Sequence, residues 1–81
     1  MKKIGKVTHY YGGIGVAIVE LSGKLSAGDK VKFSDGKNEF EQTIESMQIE
    51  HKDIPSAKKG DMIGVKVDQK VNEGAEVSLV D

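Results

Sequence analysis

Two short segments, SAGDKV at residues 26–31 and AKKGDM at residues 57–62, decide the fold predicted for this chain of 81 residues. Each places a Gly-Asp pair directly before a run of alternating apolar residues. Glycine adopts the positive φ angles that tight turns require, and both segments place small or φ-permissive residues at the same offsets. We therefore interpret the two segments as one type of turn used twice, and not as a sequence repeat.

The rest of the chain divides into short segments rich in β-branched and aromatic residues, which is typical of a β-sandwich or β-barrel. Ten glycines and one proline separate these segments. Residues 16–21 are apolar except for Glu20, which predicts a strand covered on both faces or paired in the middle of the sheet. The predicted strands span residues 4–11, 16–21, 30–34, 39–49, 62–67 and 75–80, with a bulge or bend near Glu45 and Ser46.

The length and the strand spacing together predict the architecture. A chain of 81 residues has room for one core, so we expect a single domain over residues 1–81. An open sheet of this size would present unpaired edge strands to other chains, whereas a closed barrel has no edges. We therefore predict an all-β fold, a small closed antiparallel β-barrel of six to seven strands.

Composition excludes several classes of function. The formal net charge is -1, and the 12 basic residues are all lysines. Without arginine the chain lacks the planar fork that reads guanine or holds phosphate at two points, so we expect no specificity for DNA. With no cysteine, no signal-peptide pattern and no apolar run of membrane-spanning length, the sequence predicts a soluble cytoplasmic protein that does not enter a membrane.

Three segments carry a resemblance to a known family: GKLSAGDKV at residues 23–31, AKKGDMIGV at residues 57–65 and NEGAEV at residues 72–77. They resemble domain II of translational GTPases such as elongation factor Tu and elongation factor 1-alpha, over nearly the whole chain. The likeness looks closest to small stand-alone proteins that carry only this barrel. It extends to the similar barrel appended to some collagenase-like peptidases, where FEQ at residues 40–42 and ESMQIE at residues 45–50 also match.

The resemblance implies the elongation-factor type of β-barrel and a non-catalytic binding or scaffold role that contacts a translation component or RNA. Two departures limit it. Residues 17–20 (AIVE) stand where the translation factors carry a polar, glycine-rich stretch with an arginine, and no phosphate-binding loop of the GxxxxGK[ST] type is present, so we expect no nucleotide binding. The alternative is an accessory subunit or detached domain that positions substrate for a separate enzyme, such as a collagenase-like peptidase.

Tyr10 and Tyr11 are candidates for binding, because an aromatic ring offers a stacking surface to a base or to a partner side chain. Adjacent residues on a strand point to opposite faces, so we expect one ring in the core and the other at the surface.

A second candidate surface lies around the Ile54-Pro55 loop, where Lys52, Lys58 and Lys59 gather beside His51. Lysines clustered in this way predict a weak, salt-sensitive contact with RNA. The acidic residues between them favour an ordinary mixed surface instead. From the two candidate surfaces together we expect the partner to be a protein or RNA.

No arrangement of residues predicts catalysis by this chain. A nucleophile, a base and an orienting group do not occur together. His51 with Glu50 and Asp53 does not supply the three or four convergent ligands of a zinc site from one strand face. We therefore expect a protein that is not an enzyme and that holds no metal and no cofactor.

Overall fold

A computed structural model describes residues 2–50 and 52–80, which form ten β-strands. The all-β prediction is confirmed. Among the described residues there is no helix with the length and apolar character needed to span a membrane. The strands are β1 (Lys2–Tyr11), β2 (Val16–Leu21), β3 (Leu25–Ser26), β4 (Lys30–Ser34), β5 (Glu39–Thr43), β6 (Met47–Ile49), β7 (Lys52–Ile54), β8 (Ser56–Ala57), β9 (Met62–Lys66) and β10 (Glu76–Leu79).

Eight of the strands form one antiparallel sheet in the order β5-β4-β10-β1-β2-β9-β6-β7, and β3 pairs with β8 in a separate two-stranded sheet. The strand β2 has β1 on one side and β9 on the other. Its position in the middle of the sheet is one of the two arrangements predicted from its apolar sequence.

The core lies on one face of this sheet. Every long strand contributes a side chain that is almost completely buried, among them Val7, Val19, Val31, Ile63 and Val77. These residues alternate with exposed ones along β2, β4 and β9, as a half-buried strand requires. The sheet therefore has an inner face that packs the core and an outer face toward solvent.

Closure of the predicted barrel is not confirmed. In the part of the chain that the structure describes, no strand pairing joins β5 to β7, the two ends of the sheet. A side chain spans the gap between β5 and β9 instead. The Gln42 amide donates to the carbonyl oxygen of Lys66 at 2.9 Å and accepts from the backbone N–H of Asp68 at 2.8 Å. Because Gln42 is buried, these two bonds satisfy polar groups that would otherwise be costly to bury.

The structure divides the segment predicted as one strand over residues 39–49. β5 pairs with β4, whereas β6 pairs with β9 and β7, so the chain changes partners at residues 44–46 and forms no bulge there. The register irregularities lie in β1, on both sides of Gly5. A Cβ atom at Gly5 would lie 2.8 Å from a methyl carbon of Val19, so this strand needs glycine for close approach.

The two Gly-Asp turns have the same geometry, as predicted. Gly28 and Gly60 have φ angles of 95° and 94°. The Asp29 side chain accepts a hydrogen bond from the Ser26 backbone N–H at 2.9 Å, and the Asp61 side chain accepts one from Lys58 at 3.0 Å. Each turn thus uses a left-handed glycine and an aspartate that bonds three residues back.

Candidate functional site

The outer face of β2, β9 and β6 carries apolar side chains where a solvent-facing sheet usually carries polar ones. Ile18 of β2 and Gln48 of β6 both pair with Gly64 of β9, so these three residues form one row across the sheet. Gly64 has no side chain, and the row therefore has a depression at its centre. Val16 lies next along β2 on the same face.

The depression is the centre of a groove of about 460 Å³. Its lining residues come from the β1–β2 hairpin and from β2, β6 and β9 with the turn that follows β6: Tyr11, Ile14, Val16, Ile18, Gln48, Glu50, Met62 and Gly64. The volume falls in the range typical of binding pockets for small ligands or side chains.

Three large hydrophobic residues are exposed among those described, and all three line this groove. Tyr11 is 51% exposed, Ile14 is 68% exposed and Met62 is 46% exposed. Single exposed apolar residues are ordinary on a protein surface, but their concentration in one concave region makes the groove the candidate site.

Glu50 contributes a carboxylate to the lining of the groove. It lies in the tight turn between β6 and β7 and has a φ angle of 51°, the only positive φ of a non-glycine residue in the described segments. Glutamate is disfavoured in this conformation relative to glycine or asparagine. The chain therefore keeps a carboxylate at a backbone position where glycine would be less strained.

His9 packs against Tyr11, which lies on the same face of β1. The two rings are stacked with their centroids 6.3 Å apart. The Nδ1 atom of His9 also lies 3.4 Å from a carboxylate oxygen of Glu73. His9 thus connects Tyr11 of the groove to Glu73, which lies just before β10.

The two tyrosines point as the alternation predicts. Tyr10 is half-buried and packs against the core, whereas Tyr11 points outward into the groove. A binding role for either residue stays a prediction.

The predicted lysine surface is exposed but is not part of the groove. Lys52 lies in β7, and Lys58 and Lys59 lie in the turn before β9. His51 lies outside the described residues. An RNA-binding role for this surface stays a prediction.

Of the groove residues, sequence reasoning proposed only Tyr11 as a binding residue and missed the others, namely Ile14, Val16, Ile18, Gln48, Glu50, Met62 and Gly64. The signal was present in residues 16–21, which are apolar on both faces of the strand. We interpreted that run as burial on both faces or a central position. Within this chain the outer face of the run is open, which is the observation that locates the site.

Metal ligands do not converge in the described part of the chain. Within residues 2–50 and 52–80, no group of three histidine or acidic side chains is placed to hold a metal ion. The groove itself offers apolar surface, the Tyr11 hydroxyl, the Gln48 amide and the Glu50 carboxylate, which suit binding of an amphipathic group.

The described residues form a small antiparallel β-domain with an apolar groove, and comparisons with known proteins show what this chain is similar to. No protein-family model matches the chain. An uncharacterized protease of Methanocaldococcus jannaschii is 41% identical over 80 residues, which cover 96% of this chain and 19% of that protease. The chain thus spans about a fifth of the length of this curated relative.

Solved structures show the same fold. The C-terminal domain of a Geobacillus thermoleovorans protein described as a U32 peptidase aligns with a TM-score of 0.93 over 99% of this chain and 93% of that domain, at 22% identity. A selenomethionine variant of the same domain aligns with a TM-score of 0.91 over 96% of this chain and 99% of that one, also at 22% identity.

The resemblance to domain II of the elongation factors is therefore wrong. The chain instead matches part of an uncharacterized protease and shares its fold with the C-terminal domain of a protein described as a U32 peptidase. The Gly-Asp turns misled the prediction because they report a local backbone geometry, a left-handed glycine followed by an aspartate bond, that any β-domain with such a turn shares. The noted likeness to barrels appended to peptidases agrees with these relatives.

Proposed function

We propose that this chain is a non-catalytic accessory domain that binds polypeptide and positions it for a peptidase. The carrying observation is the apolar groove, in which all the exposed large hydrophobic residues of the described segments are collected. The 41% identity to part of a protease supports a role for the groove beside a peptidase. A domain that holds substrate for a neighbouring catalytic unit needs such a surface and needs no catalytic groups of its own.

The chemistry of the groove supports a non-catalytic role. Peptide hydrolysis requires an activated nucleophile or a metal-bound water held against the scissile bond. Glu50 is exposed to water, and the groove residues around it are apolar or neutral. Binding energy is available here from apolar burial, whereas a nucleophile with its base is not among the lining residues.

The Gln42 contacts contribute to the proposal because they hold the end of β9, whose outer face forms part of the groove. We take the sheet to close into a barrel at this point, with side-chain bonds in place of a strand ladder. A closed sheet would keep β2, β9 and β6 rigid, and a preformed groove loses less entropy when it binds. A cytoplasmic location, expected from the sequence, goes with this proposal.

The test is to purify the tagged chain from its own cells and to identify the proteins that accompany it by mass spectrometry. We expect one peptidase in stoichiometric amount. The activity of that peptidase is then measured with and without the chain, on a long polypeptide and on a minimal peptide substrate. The chain should lower KM for the long substrate and leave the minimal substrate unaffected.

A groove variant provides the control. Met62→Gln removes an exposed apolar side chain from the groove and should abolish the effect on KM while the fold is kept. Recovery of no peptidase, or equal KM values with and without the chain, would contradict the proposal. Recovery of RNA whose binding falls steeply with salt and is lost in Lys58→Glu with Lys59→Glu would favour the RNA prediction instead.

A further inference from the structure

We propose that the groove selects polypeptide segments in which an aliphatic side chain stands next to a lysine or arginine, and that Glu50 selects the basic residue. This inference rests on the proposed function and names the class of substrate segment that the groove takes. Three observations support it: the shape of the apolar floor of the groove, the negative charge of Glu50 in the lining, and the size of the groove.

The floor of the groove fits an aliphatic side chain. A Cβ atom built on Gly64 would lie 3.5 Å from a Val16 methyl carbon and 3.7 Å from the terminal carbon of Ile18. These are ordinary van der Waals distances, so a methyl or methylene group from outside can occupy the space above Gly64 and contact both residues. Met62 and Ile14 extend the apolar surface around that space.

The charge at the groove is negative and is not compensated within the described chain. Glu39, Glu41, Glu73 and Glu76 each have a lysine or histidine within ion-pair distance. Glu50 has no such partner among the described residues, nor do Glu20 and Glu45, but of these three only Glu50 lines the groove. Lys66 lies on the outer face beside Val16 but is not a lining residue, so a basic group carried by the ligand would meet a carboxylate that no lining cation neutralises, which favours selection by charge.

The backbone at Glu50 gives a second reason to assign it a role. A residue with a left-handed φ of 51° is usually glycine, asparagine or aspartate when only the turn matters. Strained positions that keep a functional side chain concentrate at binding sites. The turn alone would favour glycine, asparagine or aspartate at position 50, so we attribute the presence of glutamate there to its carboxylate.

The size of the groove indicates a short segment. Eight residues line a volume of about 460 Å³, whereas a stable interface between two folded proteins takes roughly 20–30 residues a side. A second copy of this chain docked symmetrically on the same face would also bring two Glu50 carboxylates together, which disfavours it. The surface therefore fits a few residues of an extended polypeptide.

The experiment measures the affinity of the 81-residue chain for short fluorescent peptides by anisotropy. The peptides share a Gly-Ser background and carry Leu-Lys, Leu-Glu or Ser-Lys at the centre. We expect Leu-Lys to bind more tightly than both others. Glu50→Gln should weaken Leu-Lys binding by about two- to fivefold, the effect of one exposed ion pair. Glu50→Lys should reverse the order of Leu-Lys and Leu-Glu.

Glu45 provides the matched control, because it is an exposed glutamate outside the groove. Glu45→Lys changes the net charge by the same amount as Glu50→Lys and should leave the order of the peptides unchanged. Glu50→Asn, which suits the left-handed backbone, tests loss of charge in a variant expected to fold. An unchanged preference for Leu-Lys in Glu50→Lys and Glu50→Asn would overturn the inference, and so would equal affinity of the wild-type chain for Leu-Lys and Leu-Glu.

The inference and the proposed function fail in different ways. If the chain lowers the KM of a co-purifying peptidase but binds Leu-Lys and Leu-Glu equally, the inference is wrong and the accessory role stands. If the chain prefers Leu-Lys through Glu50 but no peptidase responds to it, the charge selection stands and the accessory role is wrong.

Discussion

Apolar residues occur on both faces of β2 and β9, but only the inner face is buried and free of charged side chains, since Glu20 and Lys66 lie on the outer face. Ala17, Val19, Ile63 and Val65 on the inner face are at most 1% exposed. On the outer face Ile18 and Gly64 are half-exposed and Met62 is exposed. Burial in the core explains why the inner residues are apolar. It does not explain why the outer residues Ile18 and Met62 are apolar. The difference teaches that packing of the core explains only the inner set, whereas the polypeptide contact proposed above would explain the outer set.

Replacing a residue of the inner face should have the largest effect on the free energy of unfolding. Ile63→Ala should lower the free energy of unfolding by about 2–5 kcal/mol, because it leaves a cavity in a close-packed core. Urea denaturation followed by circular dichroism measures the change. Met62→Ala, one residue away on the outer face, should change it by less than about 0.5 kcal/mol. Equal losses in the two variants would show that the outer face also stabilises the fold.

The close contact between β1 and β2 gives the next largest effect. In Gly5→Ala the new methyl group would lie 2.8 Å from a Val19 methyl carbon and 3.0 Å from the Glu20 carbonyl oxygen. Overpacking of this kind should cost about 1–3 kcal/mol of stability. Gly13→Ala is the control, since nothing lies within 4 Å of the added carbon at that position. A stable Gly5→Ala protein would mean that the two strands move apart easily.

Gly64→Ala separates stability from binding. The added methyl group fits at ordinary contact distances, and alanine loses less backbone entropy than glycine on folding. We expect the free energy of unfolding to rise by up to about 1 kcal/mol while affinity for the Leu-Lys peptide falls, because the methyl group fills the floor of the groove. Thermal unfolding and peptide anisotropy measure the two quantities on one sample. A variant that binds as well as the wild type would remove Gly64 from the site.

The smallest predicted effect lies in the turn between β4 and β5, which takes no part in the groove. Backbone N–H groups of Asn38 and Lys37 and the Asn72 side chain donate hydrogen bonds to the Asp35 carboxylate and hold its pKa below the ordinary value of 3.8. A carboxylate with a lowered pKa in the folded state contributes stability above its unfolded pKa and loses that contribution as pH falls through the folded pKa. Stability should therefore decrease below about pH 4.

Asp35→Asn identifies the contribution of this carboxylate. The variant should be slightly less stable than the wild type near neutral pH, and the difference should shrink as the wild-type carboxylate is protonated. Unfolding by urea at several pH values checks this. Peptide affinity should not change in Asp35→Asn at neutral pH, since the residue is remote from the groove; a lost affinity would show that the two regions are coupled.

Local signals in the sequence predicted the strands well where they were long. The bounds of β2 and β4 match residues 16–21 and 30–34, and both Gly-Asp turns were recognised as turns. The strands β3, β7 and β8 were missed because two or three residues are too few to show alternation. The family was misassigned for a related reason, since the turns that suggested it are set by a few adjacent residues and carry no information about the surfaces around them.

The sequence by itself determined the all-β class, the strand at residues 16–21 and the two Gly-Asp turns. Each of these depends on φ preference or on alternation over a few neighbouring residues, which a sequence displays directly. The tertiary structure alone decided which face of β2 stays open and which residues surround it. Tyr11, Glu50 and Gly64 are far apart along the chain and meet only because β9 pairs with both β2 and β6.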